Sequence, residues 1–166
     1  MSELNTTQQE QDGRADFDFL IGTWKMHHRR LRERLQGSTS WEEFEGILVA
    51  RKVLGGLGNM DEVTMERPSG RVVGMTVRLF DPQARQWSLY WADGKNGWNW
   101  HLPQIGAFKD GRGEFYAHEP IAGRHIFTRY IWLSTSETTC HWEQAFSTDG
   151  GSTWETNWII DYERIA

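Results

Sequence analysis

Apolar and polar residues alternate along most of this chain with a period of two, which is the spacing of half-buried strands. From Thr23 onward, short runs rich in Trp, Phe, Tyr, Val and Ile recur between clusters of Gly, Pro, Asp and Ser. The pattern predicts strands over 23–35, 41–54, 59–66, 72–80, 85–92, 97–102, 105–109, 113–118, 124–133, 138–146 and 154–164. Their separators carry turn chemistry, as at Gly55-Gly56, Pro68-Ser69-Gly70, Asp81-Pro82, Asp93-Gly94, Asp110-Gly111, Glu119-Pro120 and Asp149-Gly150-Gly151. No interval after Gly22 sustains a helical period, and only Asp16–Ile21 reads as a short helical turn, with an Asp placed to cap it. Many short strands joined by hairpins predict an all-β antiparallel meander, closed as an up-and-down β-barrel or folded as a sandwich. One domain is expected over 16–166, with 1–15 as a frayed polar tail.

Composition strengthens the β reading. The chain has 166 residues and ten Trp, eight Phe and four Tyr, which favour pleated surfaces and bury large areas. A net charge of -5 and a pI near 5.7 lack the basic excess of a general nucleic-acid binder. The single cysteine, Cys140, excludes an internal disulfide and a Cys-rich metal site, and its aromatic strand marks it as a buried small hydrophobe. No apolar run approaches the length of a membrane span, and Met1–Asp12 carries no secretory signal, so a soluble cytoplasmic protein is expected.

Gly22-Thr23-Trp24, at the start of the first long strand, resembles the entrance motif of the calycins, the lipocalins and their relatives. The resemblance implies that Trp24 closes the barrel floor under a cation from the far end of the chain, with Arg164 as the candidate. A wider likeness runs over about 17–164. It is carried by Phe-Asp-Phe-Leu-Ile-Gly-Thr-Trp at 17–24, Leu-Gly-Gly-Leu-Gly-Asn at 54–59, Val-Arg-Leu-Phe-Asp-Pro at 77–82, Trp-Ser-Leu-Tyr-Trp-Ala-Asp at 87–93 and Trp-Glu-Gln-Ala-Phe-Ser at 142–147. Together these look like a lipocalin-like bacterial family of unknown function. That implies a lipocalin-like barrel of about ten strands with a small-molecule pocket, and transfers no catalytic residue.

Ser147-Thr148-Asp149-Gly150-Gly151-Ser152-Thr153-Trp154 matches the Asp-box pattern of sialidases. It occurs once, so it is expected to serve as a β-turn rather than in glycosidase chemistry. Its hairpin suggests pairing Phe146 with Trp154, Gln144 with Thr156, Trp142 with Trp158 and Cys140 with Ile160, all facing inward. A slip of one residue would instead make Glu143 and Asn157 the interior polar pair. In the 72–92 hairpin, pairing Phe80 with Arg85 puts Val73, Met75, Val77, Leu79 and Tyr90 on one face and Arg78, Trp87, Leu89 and Trp91 on the other. The second face either lines a pocket around Arg78, which could receive a ligand carboxylate, or packs on another subunit.

The run His27-His28-Arg29-Arg30-Leu31-Arg32-Glu33-Arg34 is expected to pair with Glu42, Glu43 and Glu45 across a solvated hairpin with a loop over 36–40. The six histidines lack a short metal spacing, and no metal site or cofactor is expected, a haem held by a single His being left open. No nucleophile elbow, phosphate loop or His-Glu-x-x-His occurs. The leading expectation is a non-catalytic barrel for a small apolar or aromatic ligand. Trp24, Tyr90, Trp91, Trp142 and Trp158 would form the wall, and Arg78, Arg129 and Gln144 the polar contacts. Two alternatives compete: an isomerase- or cyclase-like enzyme using Glu143 or His141 in the same pocket, and a packed homodimer with no ligand.

Overall fold

A computed structural model describes residues 12–98 and 102–166. Eleven strands follow in chain order: β1 Gly22–Leu31, β2 Trp41–Val53, β3 Gly58–Arg67, β4 Gly70–Asp81, β5 Gln86–Asp93, β6 Gly97–Trp98, β7 Gln104–Lys109, β8 Arg112–Ile121, β9 Arg124–Ser134, β10 Thr139–Ser147 and β11 Glu155–Arg164. Every pairing is antiparallel, and the β4–β5 and β1–β11 ladders close the sheet into a ring of ten strands. Among the described residues the two-residue β6 pairs only with the end of β5 and stands outside that ring. The molecule is a closed, lipocalin-like antiparallel barrel. The expected strand over 97–102 begins at β6, and residues 99–101 lie outside the described residues. So do residues 1–11; the remainder of the expected tail, 12–15, forms turns against the barrel, where the Gly13 carbonyl accepts a hydrogen bond from Trp87 Nε1 at 3.2 Å.

The two ends of the barrel differ. At the closed end a 3-10 turn, Asp18–Leu20, drives Phe17 and Leu20 into the interior. No aspartate side chain caps this turn, contrary to the sequence expectation: Phe17 holds the cap position, and Asp18 turns outward to Lys52 at 3.1 Å. Phe17 packs edge-on against Trp87, Phe108 and Trp132 at centroid distances of 5.0, 4.8 and 5.9 Å and stacks on Phe115. Beside it, Trp24 donates Nε1–H to the Leu20 carbonyl at 2.8 Å, and the Arg164 guanidinium lies 4.2 Å over its ring. Arg164 also donates to the carbonyls of Phe19 and Ile21, both at 2.7 Å, and so ties the last strand to the first turn. Gly22 makes this crossing feasible: at φ +131 a Cβ there would lie 2.5 Å from Arg164 Nη1 and 2.6 Å from the Ala166 carbonyl oxygen.

Two expected registers are displaced, by two residues throughout β4–β5 and by two then, past a bulge, one in β10–β11, where Phe146 faces Glu155 rather than Trp154. In β4–β5, Phe80 faces Trp87 rather than Arg85. The Asp81 carboxylate accepts the backbone N–H groups of Gln83 and Ala84 and widens the turn. An even shift preserves the faces, so Arg78, Trp87, Leu89 and Trp91 point inward as one set. In β10–β11, Gln144 faces Trp158 and Trp142 faces Ile160, with a bulge between Gln144 and Ala145. Here the Asp-box forms a broad, self-bonded turn: Asp149 accepts from Ser147 Oγ, Thr153 N and Thr153 Oγ1 at 2.8, 2.9 and 2.6 Å. These bonds, Thr153's first, pull the Asp149 pKa down to about 2.

Candidate functional site

Alternation along each strand aims a defined set of side chains at the axis. On β1 these are Trp24, Met26, His28 and Arg30, in order from floor to mouth. Trp24 is sealed in the floor. Above the aromatic plug the interior holds a cavity of about 160 Å³. Its wall is apolar and aromatic: Met26, Leu48, Val63, Met65, Leu89, Trp91, Trp132, Trp142, Trp158 and Ile160. Trp91 fits because its partner strand carries Gly74, where a Cβ would come within 2.2 Å of the indole. Trp142 meets Tyr130 and Trp158 edge to face at 5.1 and 5.8 Å, which fixes the rings around the space.

The polar groups in this wall are few and mostly committed. Arg78 is 2% exposed; its Nη2 donates to Asp61 at 2.5 Å and its Nη1 to Asn59 at 2.9 Å. Its guanidinium also lies 5.3 Å over Trp132 and 5.4 Å over Phe17. Asp61 uses its second oxygen to accept the Thr76 N–H at 3.0 Å. The expected carboxylate receptor is thus already neutralised from β3, and it separates the plug from the cavity. Gln144 donates to Asn157 Oδ1 at 2.8 Å instead of meeting Thr156, because the bulge turns Asn157 inward, where it is fully buried. Tyr130 and Tyr162 also line the space, and burial raises both phenol pKa values well above the ordinary range.

His28 is fully buried in the same wall and absent from the expected site. Its Nδ1 accepts the Trp158 indole N–H at 3.0 Å, and its ring stacks on Phe44 at 4.4 Å. Burial, reinforced by the charges of His27 and Arg67, lowers its pKa to about 3, so it is a neutral hydrogen-bonding spacer. The signal for it was in the sequence: once Trp24 faces inward, positions 26, 28 and 30 follow.

Of the eight residues expected in the site, Arg78, Trp91, Trp142, Gln144 and Trp158 are brought together around the cavity. Trp24 lies beneath it. Tyr90 takes the opposite side of β5 from Trp87, Leu89 and Trp91. Arg129 is also on the outer side, because Ile126, Thr128, Tyr130 and Trp132 supply the inner positions of β9; it stacks 4.4 Å over Trp154. His141 and Glu143 are likewise outside the cavity. His141 bonds Asp161 at 2.7 Å and Glu143 at 3.1 Å; burial opposes its charge, but these carboxylates outweigh burial and raise its pKa.

The basic run meets its expectation in part, through His27. β1 ends at Leu31, so Arg32 and Arg34 fall in the loop before β2. Glu43 and Glu45 bond His27 at 3.2 and 2.7 Å, while Glu42 pairs with Arg67 at 2.5 Å. Among the described residues, Arg30 and Arg34 have no ion-pair partner. No group of three or more His, Cys, Asp and Glu among the described residues could hold a metal ion, and no helix among them is long and apolar enough to cross a membrane.

Fold and site define a closed all-β barrel of lipocalin-like type with an apolar interior cavity. Among solved structures the chain is similar to the S-type phycobiliprotein lyase CPES of Guillardia theta, with a TM-score of 0.59 over 95% of this chain and 97% of that one. Identity is 11%, so the likeness is one of fold. No family model and no curated protein matches the sequence.

Proposed function

We propose that this barrel binds a small apolar or aromatic molecule in its interior cavity. The observation that carries the reading is a space of about 160 Å³ walled mainly by Trp91, Trp142, Trp158 and aliphatic side chains, with a few polar groups such as His28, Arg78 and Gln144 among them. Apolar cavities of about 150 Å³ stay dry and accept a benzene-sized guest, because water gains too few hydrogen bonds there. A guest of one or two rings matches that volume; a much larger one would require the wall to open. The phycobiliprotein lyase with the same fold is compatible with ligand handling by such barrels, but at this identity it supports the architecture alone.

Catalysis is not part of the proposal. The two residues the sequence offered for catalysis stand outside the cavity, where Asp161 and Glu143 hold His141, and His28 within the wall is neutral and accepts the Trp158 indole N–H. The test is calorimetric titration of the full chain with indole and toluene. Both should bind, and Val63→Phe, which projects into the cavity from β3, should weaken indole at least about tenfold while leaving the circular dichroism spectrum unchanged. Absence of heat with either probe, or binding indifferent to Val63→Phe, would contradict it.

A further inference from the structure

Beside the cavity, the barrel mouth holds guanidinium groups that make no ion pair among the described residues. Three guanidinium groups rest on aromatic rings there: Arg30 over Trp158 at 5.1 Å, Arg34 over Phe146 at 5.2 Å and Arg67 over Phe44 at 5.6 Å. Among the described residues, Arg67 alone of the three has a carboxylate at ion-pair distance, Glu42. Glu119 and Glu155 act on Arg34 electrostatically without reaching ion-pair distance, and Glu155 already accepts the Leu35 N–H at 2.9 Å. Arg30 Nε is buried with no hydrogen-bond partner. Arg30 and Arg34 open on a recess of about 350 Å³ that also holds Arg32 and Arg124 against a single acid, Glu33.

Half-buried guanidinium groups without an ion-pair partner are costly: burial first, then neighbouring arginines, lower the Arg30 pKa to about 10 and push that of Arg34 the same way, although Glu42 partly offsets this at Arg30 and Glu119 and Glu155 at Arg34. Stacking on a ring leaves the in-plane N–H donors free, and those donors match a carboxylate or phosphate fork. Arg30 joins the two spaces from outside the cavity: it lines the recess, and its guanidinium covers the back of Trp158, whose ring lines the cavity.

We infer that the ligand is an amphipathic anion, its ring-sized apolar body in the cavity and its anionic head on Arg30 and Arg34 at the mouth. This rests on the cavity reading above and assigns the head group to the mouth rather than to Arg78, whose donors are used by Asp61 and Asn59.

The test compares 3-phenylpropionate with its neutral amide by calorimetry on the full chain, with indole as a reference for the cavity alone. The acid should bind at least about tenfold more tightly than the amide, as charge-assisted hydrogen bonds predict. Arg30→Gln and, independently, Arg34→Gln should each reduce that preference while leaving indole affinity within about twofold. Thermal melts establish that each variant folds, and the second variant serves if the first does not. Acid and amide binding equally while indole still binds would overturn the anionic head and spare the cavity. A preference for the acid that survives both substitutions would place the charge elsewhere and overturn the assignment. Failure of all three probes would remove the cavity reading itself.

Discussion

Histidine ordinarily changes charge close to neutral pH, but His28 is held neutral by burial and by the Trp158 indole that occupies its Nδ1 lone pair. The unfolded chain takes up a proton near pH 6.5 that the folded state refuses until about 3. The contribution of this group to stability is therefore complete above 6.5 and is lost progressively as the pH falls from there toward 3. His27 runs the other way: its pKa is raised, by Glu45 first, so its contribution is present at low pH and fades as the pH rises through its folded value. Imidazole nitrogen spectra should show His28 neutral at pH 5 while His27 and His141 are protonated. A His28 midpoint between 6 and 7 would mean that its ring is solvated. The Arg78–Asp61 pair gives a second residue-scale prediction: Asp61→Ala, which strands a buried guanidinium, should cost about 3–5 kcal/mol in urea unfolding, and adding Arg78→Met should recover part of it. An inward Arg78 was legible from alternation with Trp87, Leu89 and Trp91. Its partners were not, because Asn59 and Asp61 lie on a different strand whose register no local motif specifies.

At the scale of elements, turn residues marked the strand order well. Registers were less legible, since they depend on how many residues a turn consumes. Asp81 widens one hairpin by accepting two backbone N–H groups, and the Asp-box with the bulge at Asn157 displaces the other. Both displacements were even along the inward positions of Trp142 and Trp91, so the composition of the wall survived them. The basic run was read as strand through residue 35, whereas β1 ends at Leu31 and Arg32 and Arg34 belong to the loop; the inward side of Arg30 followed from Trp24 by alternation. The junction of first turn and last strand depends on Gly22, whose missing side chain leaves room for Arg164 and the Ala166 carbonyl. Gly22→Ala should destabilise the fold by roughly 1–3 kcal/mol, read as a lower melting temperature. An unchanged melt would show that the closed end does not rely on this crossing.

For the molecule as a whole, closure leaves a ring of ten strands packed at one end and hollow toward the other. Phe17 and its aromatic neighbours fill the floor, the Arg78–Asp61 pair caps that packing, and the cavity begins above it. The arginine-ringed mouth completes an apolar-to-cationic gradient along the axis. The outer sides of β2 and β4 carry exposed Ile47, Val49 and Val73, whereas Arg78 and Trp91, the pair that the sequence also offered to a second subunit, face the interior. The tryptophans sample these regions separately, and their indole N–H resonances report on each. The most direct test of the central claim is a proton–nitrogen correlation spectrum of the full chain during titration with unlabelled indole. The signals of Trp91, Trp132, Trp142 and Trp158, which line the cavity, should move together and saturate, while those of Trp24 and Trp87 in the floor and Trp154 on the outer face stay in place. Shifts confined to Trp154, or no shifts at saturating indole, would contradict an interior binding site.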